Sequence, residues 1–320
     1  MLNSRFCAGV LSFALLALGA GVALGQVYPV KPVRLITTSP GSGNDVLARA
    51  VVPGLAAGLG QTVIIENRGT GFLAAEAVYK TPPDGYTLTM QGSIFWTIPL
   101  LREVPYDVVR DFAPIALISR QANLLTVHPS LPVRSVKELI ALAKARPGQM
   151  NYGSSGTGGA GQLAMEQFKA LAGVNLIHVP YKGQSPAITA LLSGEVQVLV
   201  TDVGLLMPHA KAGRLRALAV TSTEPSALAP GLPTVAGSGL PGFESVGLTG
   251  MWAPAKTPAP VINRLNQELV RYTNQSDIKA QLLGMGEEVV GSTPEQFATI
   301  IGANIAKLSK IIKDVGIKAD

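Results

Sequence analysis

The sequence predicts an α/β protein made of two doubly wound units facing each other across a cleft. Short β-branched runs alternate with helical runs, and the alternation starts afresh near Ser135. In each unit a glycine-rich turn joins a strand to a helix.

The first unit opens with Val33 to Thr38 as a strand, a glycine turn, and a helix from about Asn44 to Leu59. A strand over Thr62 to Glu66, a helix near Ala74 to Lys80, the turn Asp84-Gly85 and a strand over Tyr86 to Met90 follow. This β-α-β-α-β order implies a parallel sheet with helices on both faces. Ser135 with Glu138 three residues on is a capping box that opens a helix to about Arg146. The second unit continues as strand Met150 to Ser154, helix Gly161 to Ala172, strand Leu176 to Val179 and helix Ser185 to Leu192. It closes with strand Val196 to Thr201, helix Pro208 to Ala212 and strand Leu215 to Thr221.

Thr257-Pro258 and Thr293-Pro294 each read as an N-cap with proline at the first helical position. Phe297, Ile300, Ile301, Leu308, Ile311 and Ile312 recur at helical spacing, so the tail is expected to pack back on the first sheet. The chain crosses between units near residues 118–125 and 246–254. The expected division is 26–122 plus 250–320 for one lobe and 123–249 for the other.

Residues 1–25 read as a signal peptide: Arg5, an apolar run from Ala8, and a small-residue exit at Ala23-Leu24-Gly25. An N-terminal membrane anchor is the alternative, but glycines thin the run and no basic stop follows. The chain's one cysteine, Cys7, leaves with that segment, which excludes a disulfide, a thiolate nucleophile or a cysteine metal site in the mature chain. Net charge is +6, with the bases scattered rather than clustered, so no nucleic-acid surface is indicated. Such a field favours anionic small molecules, or simply solvates the surface.

Two loops carry the functional reading. In Ser39-Pro40-Gly41-Ser42-Gly43-Asn44-Asp45 the glycines let backbone N–H groups converge, and the following helix adds its positive end. No Gly-Lys-Ser/Thr follows, and the dinucleotide spacing fails at Leu47-Ala48. The segment Gly153 to Gly161 repeats the arrangement with Ser154, Ser155, Gly156 and Thr157. Each loop suits a carboxylate or phosphate; each also suits an ordinary turn. His128, His178 and His209 form no metal pair and read as ordinary satisfied histidines. No nucleophile elbow is present, and Asp45 with Asp202 as a hydrolytic pair has nothing to support it. No catalytic, metal or cofactor residue is therefore expected. Phe72, Phe95 and Trp96 suit either ligand stacking or the core. Arg34 and Lys182 suit anion steering or surface pairing.

Several segments together resemble the substrate-binding proteins of tripartite tricarboxylate transporters, the Bug-type receptors. They include Tyr28-Pro29-x-Lys31-Pro32-Val33-Arg34, Pro40-Gly41-x-Gly43-x-Asp45, Glu66-Asn67-Arg68 and Pro83-Asp84-Gly85-Tyr86. Asp111-Phe112-Ala113-Pro114, His178-Val179-Pro180-Tyr181-Lys182-Gly183 and Lys211-Ala212-Gly213-x-Leu215-Arg216 extend the match in the same order. The resemblance implies a two-lobed periplasmic-binding-protein fold of type II kind, two crossover strands, and a periplasmic receptor closing on a small carboxylate. Its partners would be that ligand and the subunits of a membrane permease, and the chain is expected to act as a monomer. Carried over by position, Ser39, Gly41, Ser42, Gly43 and Asp45 form the first ligand loop. Ser154, Ser155, Gly156 and Thr157 form the second, with Tyr181 and Asp202 near the cleft floor.

The sequence departs from the family after Asn67-Arg68, where the loop is shorter. It departs again at Gln91-Gly92-Ser93, which leads into a bulkier Ile94-Phe95-Trp96. Gln91 and Ser93 thus join the ligand-site expectation, and an apolar or aromatic acid becomes an alternative to a di- or tricarboxylate. A sensor that meets a membrane kinase and a periplasmic hydrolase are the competing function classes.

Overall fold

A computed structural model describes residues 28–69 and 71–316. The expected signal peptide lies outside the described residues. Strands β1 (Val33–Thr37), β2 (Val63–Asn67) and β3 (Thr87–Gly92) are linked by helices α1 (Gly43–Leu59) and α2 (Gly71–Tyr79). They pair in parallel in the order β2-β1-β3. Two short helices, α3 (Ile94–Thr97) and α4 (Val108–Asp111), lead into β4 (Phe112–Val127). The second series runs α5 (Val136–Ala145), β5 (Asn151–Ser154), α6 (Ala160–Ala172), β6 (Ile177–Pro180), α7 (Gln184–Ser193), β7 (Val198–Asp202), α8 (Val203–Lys211) and β8 (Arg216–Val220). Strand β9 (Val246–Pro254) returns the chain to the first sheet. Helices α9 (Ala259–Thr273) and α10 (Ser276–Gly284), strand β10 (Glu288–Val289) and helix α11 (Pro294–Val315) complete it.

The first sheet is parallel only across β2-β1-β3. Strands β9 and β4 join its edge, β9 antiparallel to β3 and β4 antiparallel to β9. The parallel sheet expected of the first three strands is present, and the antiparallel crossing strands extend it. The crossing segments are themselves hydrogen-bonded strands, and a chain that leaves and returns along one edge must run both ways. Strand β4, with 16 residues, belongs to both sheets: Phe112 to Ala122 pair with β9, and Asn123 to Val127 pair with β7 and β8. Register shifts after Pro114, Leu117 and Leu125 bend it. The second sheet adds the parallel set β6-β5-β7. The result is two α/β lobes sharing one curled sheet.

Apolar periodicity explains the layers. Leu47, Val51 and Leu55 of α1 meet Leu265 and Leu269 of α9 over one face of the first sheet. On the other face Phe95, Trp96, Phe112, Trp252 and Phe297 form an aromatic cluster. Phe95 and Trp96 are thus core residues. Phe72 is half-buried against Tyr106, with Arg102 over its ring. As the sequence implies, α11 packs back on the first sheet through Phe297 and Ile301. Its far end goes further, setting Ile312 against Leu163 of α6.

Side-chain caps fix four of the helix starts, Asp107 capping α4 among them. Ser42, Ser135 and Thr293 cap α1, α5 and α11, and Gln296 completes a full capping box with Thr293. At Ser135 the box is half made, because Glu138 accepts from Arg134 N instead. Thr257 does not cap α9: its hydroxyl donates to Pro254 O at 2.7 Å, and the helix starts after Pro258. Helix α8 begins five residues before Pro208, because burying Val203 and Leu206 outweighs the hydrogen bond the proline forfeits. Among the described residues, no helix is long and apolar enough to cross a membrane.

Candidate ligand-binding site

The first loop, between β1 and α1, is tied down from within. Gly41 adopts φ +75°, a left-handed conformation that suits glycine, and its N–H donates to Asp45 Oδ2 at 2.9 Å. The same carboxylate accepts from Arg49 Nε at 3.0 Å and Asn67 Nδ2 at 2.8 Å. Burial opposes ionisation of Asp45, which is 2 % exposed, but these donors outweigh it and hold the carboxyl down at about 2. Ser39 donates twice to Gly69 O, through its backbone N–H and its hydroxyl. Ser42 Oγ lies 2.6 Å from Thr38 Oγ1 and receives Asp45 N at the head of α1, where Gly43 begins the helix. Asp45 therefore shapes this loop, with both oxygens committed inside the protein.

The end of β3 and Ser93 beyond it approach the same loop. A side chain at Gly92 would meet Asn44 Oδ1 at 3.0 Å, so the missing Cβ lets α1 and β3 close up. Gln91 is fully buried; its amide donates to Thr89 Oγ1 at 2.8 Å, while Oε1 lacks a partner among the described residues. Ser93 Oγ receives Leu248 N at 3.0 Å, fastening this segment to β9. Arg34 is held by a two-pronged pair with Glu66 at 2.6 and 2.9 Å.

The second loop follows β5. Ser154 is fully buried, and its hydroxyl reaches Gly156 O at 3.0 Å, Gly156 N at 3.2 Å and His178 Nε2 at 2.7 Å. Gly156 takes φ +140°, which a side chain would strain. Gly158 N donates to Gln162 Oε1 at 2.6 Å, and Gly183 N donates to Ser155 O at 3.1 Å. At Gly161 a Cβ would lie 2.7 Å from Val200 O, so the first turn of α6 can press directly on β7. Thr157 is exposed at the loop tip. The Tyr181 hydroxyl donates to Glu195 Oε1 at 2.7 Å; burial, and then Glu195, push that phenol up to about 12.

Two cavities gather parts of this set. The smaller, about 40 Å³, is lined by Ser155, Gly161, Asn123, Gln184, Thr201 and Asp202. The starts of α6 and α7 and the end of β7 meet there, at the carboxyl edge of the second sheet. Asp202 accepts from Gln184 Nε2 at 2.8 Å; burial pushes its carboxyl up and Gln184 opposes this. Across the lobes, Glu287 accepts from Ser119 Oγ at 2.6 Å; burial raises its carboxyl, and the Asp202 charge adds to the rise. The larger cavity, about 160 Å³, sets Ser93 and Thr97 opposite Gly158, Ala160 and Gln167, with Lys307 of α11 closing one side. Leu101 leans onto the loop, 2.8 Å from where a Gly158 Cβ would sit.

The structure thus brings Ser155 and Asp202 together, and Ser93 to the second loop. The residues of the first loop line neither cavity, and the Tyr181 hydroxyl is turned to Glu195. Asn123 and Gln184 escaped the sequence reading. Gln184 follows Gly183 at a strand-to-helix turn, the same grammar as the two loops. Asn123 is a lone amide between Ala122 and Leu124.

Ser154 and His178 form a hydrogen-bonded pair of the kind a hydrolase uses. Ser154 has no exposed surface, however, and its hydroxyl is spent bracing the loop. The nearest buried acid, Glu166, accepts from Tyr152 and Lys169 instead of orienting the imidazole.

The family described as the tripartite tricarboxylate transporter family receptor matches residues 47–317. Protein BugT of Bordetella pertussis is 30% identical over 308 residues, covering 93% of this chain and 94% of its own. The solved structure of R. palustris Rpa4515 with adipate shares 34% identity at a TM-score of 0.74, over 91% of this chain and 99% of that one. MatC from Rhodopseudomonas palustris with bound malate shares 28% identity at a TM-score of 0.70, over 89% and 100%.

Proposed function

Since the chain belongs to the tripartite tricarboxylate transporter receptor family, we propose that it is a periplasmic solute receptor that holds a small carboxylate and performs no chemistry on it. One observation carries this reading: the starts of α6 and α7 and the glycine-loop backbone converge on one cavity at a sheet's carboxyl edge, where Gln184 engages the Asp202 carboxyl. An anion is the chemistry such a convergence stabilises. The buried Ser154 argues against the hydrolase reading.

The capturing lobes are residues 26–122 with 250–320, and residues 123–249, and strands β4 and β9 are the hinge between them. A ligand that touches both lobes favours the closed form by its differential contacts. Residues 1–25 direct export, the chain works as a monomer, and the closed form delivers its cargo to a membrane permease.

The ligand loops are Ser39, Gly41, Ser42 and Gly43 on one side and Ser154, Ser155, Gly156 and Thr157 on the other. Asp45 holds the first loop in shape. Gln91 and Ser93 set the wall after β3, and Tyr181 and Asp202 bound the second. Relatives carrying adipate and malate make aliphatic dicarboxylates the first class to test.

The test is calorimetric titration of the mature chain with adipate, malate, benzoate and the neutral diamide of adipic acid. A dissociation constant in the micromolar range or tighter for one acid, with no heat from the diamide, supports the reading. Equal binding of acid and diamide contradicts it.

A further inference from the structure

The histidine expected to be an ordinary satisfied one, His178, occupies a particular place. Tyr152 and His178 are register partners on the parallel strands β5 and β6, and their rings stack at 4.9 Å and 21°. From there His178 Nε2 reaches diagonally to Ser154 Oγ, 2.7 Å away. That hydroxyl is the brace of the second loop, within reach of both the N–H and the C=O of Gly156.

With the neutral ring in its Nδ1–H tautomer, the hydroxyl has one proton and two acceptors to choose from, His178 Nε2 and Gly156 O. A ring protonated on both nitrogens removes the choice. Nε2 becomes a donor, and the serine proton must turn to Gly156 O. The loop then gains a firm internal bond and a positive charge one hydroxyl beneath it.

We propose that His178 is a positioning residue for the second loop, acting through Ser154, and that a proton taken up by its ring strengthens the loop's hold on an anion. The anion is the ligand of the receptor reading above, on which this step rests.

The groups facing the ring fit this role. Tyr152 of β5 stacks on it, with its hydroxyl held by Glu166 at 2.5 Å. Glu166 of α6 is also paired with Lys169 at 2.8 Å, so its charge is largely spent. Burial lowers the proton affinity of His178 below its ordinary value, Glu166 opposes this and Lys169 adds to it. The free receptor therefore holds a neutral ring at neutral pH, and a carboxylate above the loop pulls a proton in.

Two measurements test this. Nuclear magnetic resonance of 15N-histidine-labelled protein follows the ring of His178, assigned by its loss in His178→Gln. In the ligand-free protein, Ser154→Ala is expected to move the Nε2 resonance and the titration midpoint; an unmoved midpoint overturns the coupling. Adipate affinity is then compared between wild type and His178→Gln at pH 8 and pH 5.5. Protonation of adipate itself cancels in that ratio. The wild-type advantage is expected to grow several-fold on acidification, towards the limit of about tenfold set by one pK unit of coupling. A ratio that stays constant overturns the proposal. The wild-type affinity at pH 8 reports separately on whether the chain is a carboxylate receptor at all.

Discussion

Asp45→Asn separates a residue that shapes the first loop from one that touches the ligand. The substitution keeps size and removes charge. It also sets an amide against three donors, Gly41 N, Arg49 Nε and Asn67 Nδ2, which the carboxylate now satisfies. The magnitude follows from the lowered proton affinity. A carboxyl moved from 3.8 to about 2 contributes about 2 kcal/mol to folding at neutral pH, at roughly 1.4 kcal/mol per pK unit. Because the folded-state value is the lower one, that contribution is complete above about pH 4 and is lost as pH falls towards 2. For a chain of this size, about 2 kcal/mol corresponds to a fall in Tm of roughly 3 °C. Thermal unfolding followed by circular dichroism at pH 7 measures it, and urea titrations between pH 5 and 2.5 should show the gap to wild type closing. An unchanged Tm together with a large loss of ligand affinity would refute the reasoning, because Asp45 would then be a ligand contact.

Other substitutions probe the second loop and the hinge. Gly161→Ala puts a methyl 2.7 Å from Val200 O; it is expected to cost about 1–3 kcal/mol in chemical denaturation and to weaken acid binding in calorimetry. Gly156→Val strains a φ of +140° and is expected to abolish acid binding while the chain stays folded; unchanged affinity removes this loop from the site. Gln184→Ala leaves Asp202 without its donor, so binding should weaken about tenfold with less than about 0.5 kcal/mol change in stability, read by paired titration and denaturation. Gly250→Ala drives a methyl into the Phe297 ring, 2.2 Å from Cζ, and into Ala116 O at 2.8 Å; it should lower Tm by releasing α11 from β9.

The α/β alternation was legible because strands such as Val33–Thr37 and Val63–Asn67 are short runs rich in valine and isoleucine, each followed by a glycine-containing turn. Caps at Ser135 and Thr293 were legible because their partners lie three residues away. Strand β4 was not. Pro114, Ser119, Arg120 and Gln121 interrupt its apolar run, and its partners in β9 lie more than 120 residues further along the chain. Within the site, the glycine loops announced themselves by composition. What each polar group does there depends on contacts the sequence does not print. Asp45 is engaged by Asn67, 22 residues away, and Ser154 by His178, 24 residues away across a strand register that only the folded sheet defines.

The central claim, capture of a small carboxylate without chemistry, is tested most directly by purifying the mature chain, denaturing it and identifying released small molecules by mass spectrometry. One carboxylic acid at close to one per chain, unchanged after long incubation with the native protein, is the predicted result. A stoichiometric ligand without a carboxylate, or an acid that appears only as the cleavage product of a supplied ester or amide, would contradict it.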